Sequence, residues 1–508
     1  MDADPVPLTE RISPPLATTS SPRDLEPDSA ELEKLRQWHQ ARIERKLRDE
    51  YETALLRLDE LVKDNLQTPL RIASVRVAGK ERTRPEILKW LTDPYITTAN
   101  SESSTLNDVL RATKRVTDKM LETDVYKAVL PRLEASHSPY AQPGDVDLVL
   151  YTAPRGAYFL KTSTEMGNQD GSVSLQGQIR NSLGLAETLD VTLSSGLRTR
   201  LSGNVTYSSA LRAMRSRGEF SLFGLEKDLT NFASCIEGVR GVRATLRSFG
   251  KHTSSEINGE AVLRHIHGLT ENASLSIREI AGPSTKFSLS HSWTFDSRDE
   301  KSIPSKGGYL RAYNELAALN TESGFFKTQG SFQWVHSFVP GLNLSLSGRA
   351  GYIHPFGSIG NAPFNDRFQM GGPLDVRMFK QNGLGPREGK GVGDSLGGDL
   401  FWATGLSVVS DLPARPDWPV KVQAFVNAGR LDLLNRAGGA GQGQGRKERT
   451  LVDNVRDSLS RPCVSVGVGL LYRFDPVRVE VNFGVPVVAN KNDGLRRGFQ
   501  VGIGLDFL

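Results

Sequence analysis

The chain closes on FQVGIGLDFL (Phe499–Leu508). Phe499, Val501, Ile503, Leu505 and Phe507 fall on one side of an extended strand, and Gln500, Gly502, Gly504 and Asp506 on the other. A period of two marks a strand with one apolar face. The same alternation recurs upstream. Val464, Val466, Val468, Leu470 and Tyr472 alternate with Ser465, Gly467, Gly469 and Arg473. Val477, Val479, Val481, Phe483 and Val485 alternate with Arg478, Glu480, Asn482 and Gly484. Leu342, Leu344 and Leu346 alternate with Asn343, Ser345 and Ser347. The second face is glycine, serine and charge, which is no material for a dry core. Strands of about ten residues, polar inside and apolar outside, are the pattern of a barrel in a bilayer. A bilayer forces closure, because every backbone group must be paired.

Working back from the terminus, about sixteen antiparallel strands are expected, an even number as in bacterial membrane barrels. They lie near 155–166, 171–182, 186–197, 200–210, 216–229, 233–249, 252–266, 284–297, 308–319, 325–338, 342–353, 398–410, 419–430, 463–474, 476–487 and 498–507, with no helix among them. The long connections, 267–283, 354–397 and 431–462, follow strands seven, eleven and thirteen. All are odd, so all emerge at one end. The even connections are mostly short, such as Pro340-Gly341 and Asp475-Pro476. Long loops at one end and short turns at the other are expected of a membrane barrel.

Before the barrel the character differs. Residues 1–28 hold six acids, two arginines and six prolines, and read as a disordered tail. That tail has neither the basic start and apolar core of a secretory signal nor an amphipathic presequence, so import from the cytosol after synthesis is expected. A helical segment follows at 29–66, with Asp28 and Glu31 as a capping pair and Leu32, Leu35, Ile43, Leu47, Tyr51, Leu55, Leu58 and Val62 recurring mostly at three or four. Residues 67–153 read strand–helix–helix–strand–strand: LRIASVRVAG (Leu70–Gly79), a helix opened by Pro85, a second with Leu106, Val109, Leu110, Thr113, Val116 and Met120 on one face, then YKAVLPRLEA and VDLVLYTA. The fold is therefore a transmembrane β-barrel over 154–508 preceded by one small α+β domain, a three-stranded sheet covered by two helices.

Composition excludes several classes. A net charge of +5 over 508 residues is too weak to argue for nucleic acid. Cys235 and Cys463 are far apart and read as unpaired strand residues. Eight scattered histidines hold no ligand spacing, His265 and His267 on one strand face read as structural, and no metal or cofactor is implied. GPREGKG (Gly385–Gly391) has glycine where a phosphate loop needs Ser or Thr, and no helix follows. AGGAGQGQG (437–445) reads as a flexible linker.

The loop 354–397 carries Val376, Arg377, Met378 and Phe379 in a glycine-rich, mixed-charge setting. It reads either as a solvated surface loop or as a segment folded into the polar lumen, where an always-charged Arg377 needs a partner. With this loop the chain resembles the outer-membrane barrel-assembly (BamA-like, bacterial surface antigen) superfamily, and is similar to barrel subunits of the mitochondrial sorting and assembly machinery. The small domain resembles one POTRA domain. LDVRMFKQNGLGPREGKGVGDSLGGD (Leu374–Asp399) resembles the family's sixth outer loop, with Met378 where many members have glycine. SWTFDSRD (Ser292–Asp299) followed by IPSKGGYL resembles its strand eight to strand nine passage, and AFVNAG (Ala424–Gly429) the strand facing the loop arginine. Asn427 stands where bacterial members often have aspartate, so Asn427 and Asp296 are the candidate lumenal partners of Arg377. Gln500, Gly502, Leu505 and Phe507 fit the C-terminal signal of mitochondrial barrel precursors.

What the resemblance implies is a non-enzymatic insertase of the mitochondrial outer membrane. Its working seam lies between the last strand and strand one, Ala157, Tyr158, Phe159, Leu160, Lys161, Thr162, Ser163 and Thr164, which accepts a client strand. Implied partners are β-barrel precursors, two peripheral subunits on the cytosolic face, the lipid bilayer, and a second barrel as a homo- or hetero-oligomer; nucleic acid is not among them. The small domain is expected in the intermembrane space and the long loops in the cytosol. The alternative is a polypeptide-translocating or passive pore.

Overall fold

The computed structural model describes residues 29–504, apart from 80–81, 100–103, 168–169, 198, 212–215, 320–322, 358–361, 390–392, 413–417, 435–450 and 475–476. The tail 1–28, the glycine stretch 437–445, and Leu505 and Phe507 lie outside the described residues. Packing divides the described residues into two units, one within Met1–Arg76, Tyr95–Arg115 and Pro131–Val149, the other within Val77–Pro94, Val116–Leu130 and Leu150–Leu508.

The first elements are α1 (Ser29–Asp64), β1 (Arg71–Ala78), α2 (Pro85–Ala99), α3 (Leu106–Glu122), β2 (Tyr126–Ala135) and β3 (Asp145–Pro154). This is the strand–helix–helix–strand–strand order, and the sheet runs β1–β3–β2. Proline opens α2, where its missing N–H costs nothing. At the start of α3 the Thr105 hydroxyl and backbone N–H both donate to Asp108 Oδ2, at 2.9 and 3.2 Å. Those hydrogen bonds hold the Asp108 carboxyl below its ordinary pKa. Val109, Thr113, Val116 and Met120 are buried, as their spacing requires.

The wall of the barrel is a meander of sixteen antiparallel strands. In order they are β4 (Tyr158–Gly167), β5 (Asp170–Arg180), β6 (Glu187–Gly196), β7 (Thr199–Ala210), β8 (Ser216–Asp228), β9 (Ile236–Phe249), β10 (Thr253–His267), β11 (Gly282–Asp296), β12 (Gly307–Ala318), β13 (Ser323–Val339) and β14 (Leu342–Gly357). After a long loop that holds a small hairpin, β15 (Arg387–Glu388) and β16 (Asp394–Ser395), come β17 (Leu400–Asp411), β18 (Val420–Asp432), β19 (Cys463–Phe474), β20 (Val477–Val488) and β21 (Gly498–Gly504). Each wall strand pairs with its neighbour in sequence, and β14 pairs with β17 across the loop, from Leu342↔Ser410 to Tyr352↔Leu400. Among the described residues β4 is laddered to β5 and β21 to β20, and no ladder joins β4 to β21.

Burial runs opposite to that of a soluble protein. Along β20, Glu480 and Asn482 are fully buried, whereas Phe483 is 64% exposed and Val485 46%. Lys286 and Glu315 are buried on the inner faces of β11 and β12, next to exposed Phe287, Leu289 and Leu316. An outer skin of Leu, Val and Phe over a polar interior has its natural solvent in lipid.

Two expectations are corrected. Short helices do occur beyond β3: α4 (Thr230–Ala233), α5 (Leu275–Glu279) and α6 (Leu451–Ser460), all in connections at the long-loop end. Their apolar repeats are at most ten residues long, too short to stand out from a background of strands. The lumen also has a dry part. Inward-facing Phe325, Ile353, Phe401 and Leu431 form an apolar cluster with Phe368, Met370, Val376, Phe379 and Leu384 of the long loop. Those wall residues sit near strand ends, where alternation gives no hint of what covers them. Cys235 and Cys463 are free and buried.

An arginine at an outward, mid-strand position tests this placement. Phe483→Arg is expected to cost about 2–4 kcal/mol of barrel stability. Urea unfolding in lipid vesicles reads the loss, and a Phe483→Leu control is expected to stay near wild type.

Candidate functional site

The loop between β14 and β17 is the sixth connection at the long-loop end, hereafter loop six. It is folded inward. Val376, Arg377, Met378 and Phe379 are all at most 1% exposed. Arg377 Nε and Nη2 donate to Glu480 Oε2 and Oε1, at 2.9 and 3.1 Å, a two-pronged bond across 103 residues of chain. Arg377 Nη1 donates to Asn427 Oδ1 at 3.2 Å, and the guanidinium carbon lies 5.0 Å from the centre of the Phe425 ring. The Glu480 carboxylate also receives Arg478 Nη2 at 2.5 Å, Asn482 Nδ2 at 2.9 Å and Gln423 Nε2 at 3.3 Å. A planar fork on a carboxylate, with the remaining lone pairs filled, is the geometry in which a buried ion pair is tolerated.

Asn427 is thus a partner of Arg377, as expected, through a hydrogen bond. Asp296 is not. It ends β11 at the short-turn end, where Arg298 holds it through two side-chain bonds of 3.0 and 2.9 Å. The partner missed from sequence is Glu480. The signal was present: on the polar faces of the last four strands Glu480 is one of two carboxylates, with Asp506.

Next to Arg377, Met378 has φ of 66°, the left-handed region that glycine adopts freely. Its thioether is buried beside Gly484 of β20, where a Cβ would clash with the Val466 carbonyl oxygen of β19 and stand 3.1 Å from Met378 Sδ. Gln500 of β21 clasps this turn. Its Oε1 accepts from Met378 N–H and its Nε2 donates to the Phe379 carbonyl, both at 2.9 Å. The polar residue of the terminal signal pattern therefore has a structural task. Backbone bonds continue the contact into the 489–497 connection: Lys380 N–H to Gly494 O at 2.8 Å, Gly494 N–H to Gly383 O at 2.7 Å, and Arg496 N–H to Met378 O at 3.0 Å.

A second anchor lies at the root of the loop. Asp366 accepts from Arg264 of β10 at 2.6 and 2.9 Å and from Lys286 of β11 at 2.8 Å; Lys286 also pairs with Glu315 of β12. Lys327 of β13 donates to the Asp366 carbonyl at 2.8 Å. Burial opposes ionisation of Asp366, but the bonds and charges of Arg264 and Lys286 outweigh it and hold the carboxyl below its ordinary pKa. Loop six is thereby fixed to two separate arcs of the wall, β10–β13 and β18–β21.

A third inward element comes from the β11–β12 connection, 297–306. Glu300 pairs with Arg473 of β19 at 2.9 Å, Arg478 donates to the Ser302 carbonyl at 3.1 Å, and Ile303 is buried with Val409 and Leu471. Of the GPREGKG stretch, Arg387 and Glu388 form β15, and the next described element is the strand β16.

On the other side of the seam, β4 runs from Tyr158↔Ile179 to Gly167↔Asp170 against β5. Tyr158, Phe159 and Leu160 are 79%, 45% and 71% exposed, so both faces of the strand start are open. Lys161, Thr162 and Thr164 are exposed, and Ser163 bonds Ser174 at 2.7 Å. Ala157 precedes the strand, and its carbonyl accepts from Arg180 N–H at 2.8 Å. Gly502 is buried beside Gln500 on β21.

Removing one partner of the Arg377–Glu480 pair is expected to cost about 3–5 kcal/mol of loop docking, because the other charge stays buried alone. Glu480→Ala should expose loop six to protease while leaving the barrel resistant. Asp366→Asn should free the root by the same mechanism and the same readout. A carboxyl with a lowered folded pKa contributes fully above its unfolded value and loses that contribution only as pH falls through the folded one. The docking supplied by Asp366 is therefore expected to persist from pH 7 to 5, read as unchanged protection of loop six.

The Omp85 superfamily domain matches residues 170–507. A SAM50-like protein of Schizosaccharomyces pombe is 30% identical over 460 residues, covering 89% of this chain and 94% of its own. The sorting and assembly machinery component 50 homolog of Homo sapiens is 28% identical over 416 residues, 80% of this chain and 85% of its own. Among solved structures, BamA from Haemophilus ducreyi lacking POTRA domains 1–3 is similar at a TM-score of 0.66 and 14% identity, covering 86% of this chain and 84% of that one, and so shares the fold. A domain match over most of the chain and a relative aligned along nearly all of it place the chain: it belongs to the Omp85 superfamily, in the branch of the sorting and assembly machinery 50 proteins.

Proposed function

We propose that this chain is the barrel subunit of a machinery that inserts β-barrel precursors into the mitochondrial outer membrane. It does so by pairing the client's C-terminal strand with β4. What supports the assembly role is kinship with proteins named for sorting and assembly. The observation that carries the mechanism is the ladder pattern at the seam. β21 is bonded to β20 through seven pairs, β4 is bonded to β5 through ten, and among the described residues neither is bonded to the other.

No covalent step is needed. A strand entering lipid carries unpaired backbone groups that cost several kcal/mol each. An open edge accepts them by β-augmentation, main chain to main chain. The two sides of the seam are held by different parts. Loop six binds the β20–β21 side through Glu480, Gln500 and the 489–497 connection. The β4–β5 side is tied to segments ahead of the barrel: Asn181, in the turn after β5, donates to Thr83 Oγ1 at 2.9 Å, Thr83 bonds the Tyr126 hydroxyl at 2.8 Å, and Asp124 pairs with Arg155 and Arg180 at 2.7 and 3.3 Å. Parting the seam then separates two internally braced edges. Loop six in the lumen argues against a passive pore. The small α+β domain, in this reading, faces the intermembrane space where precursors arrive, and peripheral subunits sit at the long-loop end.

Single cysteines at Tyr158 to Thr164, combined with a cysteine in a client's signal strand, are expected to form disulfides in every second position. Even labelling around the barrel sinks the seam model. Depletion of the chain should stop assembly of imported porin while matrix import continues at first. Arg377→Ala should leave the barrel inserted but slow client assembly about tenfold or more, in line with loss of a buried charge pair; unchanged kinetics would count against a lumenal role for the loop.

A further inference from the structure

The outer faces of β6–β11 carry a feature that the assembly role does not use. Reading across the wall, one row of paired residues is Leu193 on β6, Gly203 on β7, Gly224 on β8, Arg240 on β9, Leu263 on β10 and Thr285 on β11. Most of this skin is Leu, Val and Phe, with small or polar residues such as Gly330 and His291 set singly among them. Here two glycines face each other, and the missing side chains leave a trough of about 590 Å³ walled by Leu193, Val205, Leu222, Val242, Leu263 and Phe287. A larger hollow of about 1090 Å³ also borders Leu193, Gly203, Gly224, Arg240 and Leu263, and reaches His265 and His267 toward the long-loop end.

Arg240 is exposed on this face. Its strand starts at Ile236, so it lies roughly 13 Å along a tilted strand from the long-loop end. A guanidinium stays charged in the apolar belt, where an unpaired charge is costly. Among the described residues no carboxylate is within ion-pair distance of it. Glu226, the acid lining the larger hollow, lies 3.7 Å from Arg200 instead. A charge beside an apolar trough on the lipid face has one natural complement in a bilayer: a phosphate on top of acyl chains.

We propose that the outer face of β7–β10 binds an anionic glycerophospholipid. The phosphate meets Arg240, with the exposed His265 ring on the same face. An acyl chain occupies the bare strip over Gly203 and Gly224. The bidentate fork of arginine suits two phosphate oxygens. Filling the trough also removes the void that two facing glycines leave in the hydrophobic skin.

The test uses the full chain in phosphatidylcholine nanodiscs, with a minor share of phosphatidylglycerol bearing a photoreactive group in its acyl chain. The matched probe is phosphatidylcholine with the same chain. Cross-links mapped by peptide mass spectrometry are expected at Leu193, Leu201 or Leu263, about tenfold stronger for the anionic probe, the scale of a charge-assisted hydrogen bond. Arg240→Gln should abolish that preference and Arg240→Lys should retain most of it. Gly224→Leu, which keeps the charge and fills the trough, should remove labelling by both probes. Heat-modifiable migration checks that each variant is folded. Equal labelling by the two probes, or an Arg240→Gln variant that keeps the preference, overturns the site. So does a cysteine at Leu263 that cross-links in native membranes to a polypeptide instead of remaining free.

Discussion

A wall carboxylate and a loop guanidinium sealed inside a barrel are the interaction on which the rest of this structure depends. Arg377 and Glu480 are 1% and 0% exposed at their side chains. Burying both is expensive, and such pairs stabilise only when each remaining lone pair and proton is matched. Here the carboxylate also receives Arg478, Gln423 and Asn482, and the guanidinium also donates to Asn427, side chains contributed by β18 and β20. The result is specificity of position. A mixed-charge, glycine-rich loop has countless surface conformations; one that must deliver Arg377 to a single carboxylate has very few. The apolar cluster around Val376 and Phe379 then packs on a loop whose register is already set.

That register explains three features that look unrelated. Met378 tolerates a left-handed backbone, at about 1–2 kcal/mol, because its neighbour's ion pair and its own burial hold the turn. Gly484 stays bare because a Cβ there would press on the backbone of β19, at the Val466 carbonyl oxygen, as well as on the Met378 thioether. Gln500 turns inward because the amide can satisfy the N–H and carbonyl that the turn exposes. Each of these residues sits on or beside the last two strands. Loop six is therefore as much a brace for the C-terminal edge of the wall as an occupant of the lumen. Asp366, on the far arc, keeps the brace from moving with that edge.

The wall was legible in the sequence because lipid imposes a simple rule: outward residues are apolar, inward ones are not. Val464–Tyr472 and Val477–Val485 announce both their strand state and their faces. The order of elements ahead of the barrel was legible for the ordinary reason of helical and strand periodicity, as in Val109, Val116 and Met120. Partners inside the lumen were harder. Asp296 is as polar and as inward as Glu480; what separates them is height along the barrel, which alternation does not encode. Resemblance pointed to Asn427, and that bond exists, but the charge partner had moved two strands along. Asp366 and the 297–306 connection were invisible because turn residues have no period, and their meaning lies in which wall they touch.

The occupied lumen bears on how such a barrel can act. Loop six reaches β18–β21 from one end, and the 297–306 connection reaches β19 and β20 from the other. The polar cavity bordered by Arg298, Lys301, Arg349 and Arg478 has about 390 Å³. That is the volume of a small-molecule pocket. Its lining is held by ion pairs such as Arg298–Asp296 and Arg349–Asp375, so widening it means breaking several at once. Separating β4 from β21 breaks none of the ladders described. On the reading proposed above, a client strand therefore leaves for lipid at the seam of the wall and not along its axis.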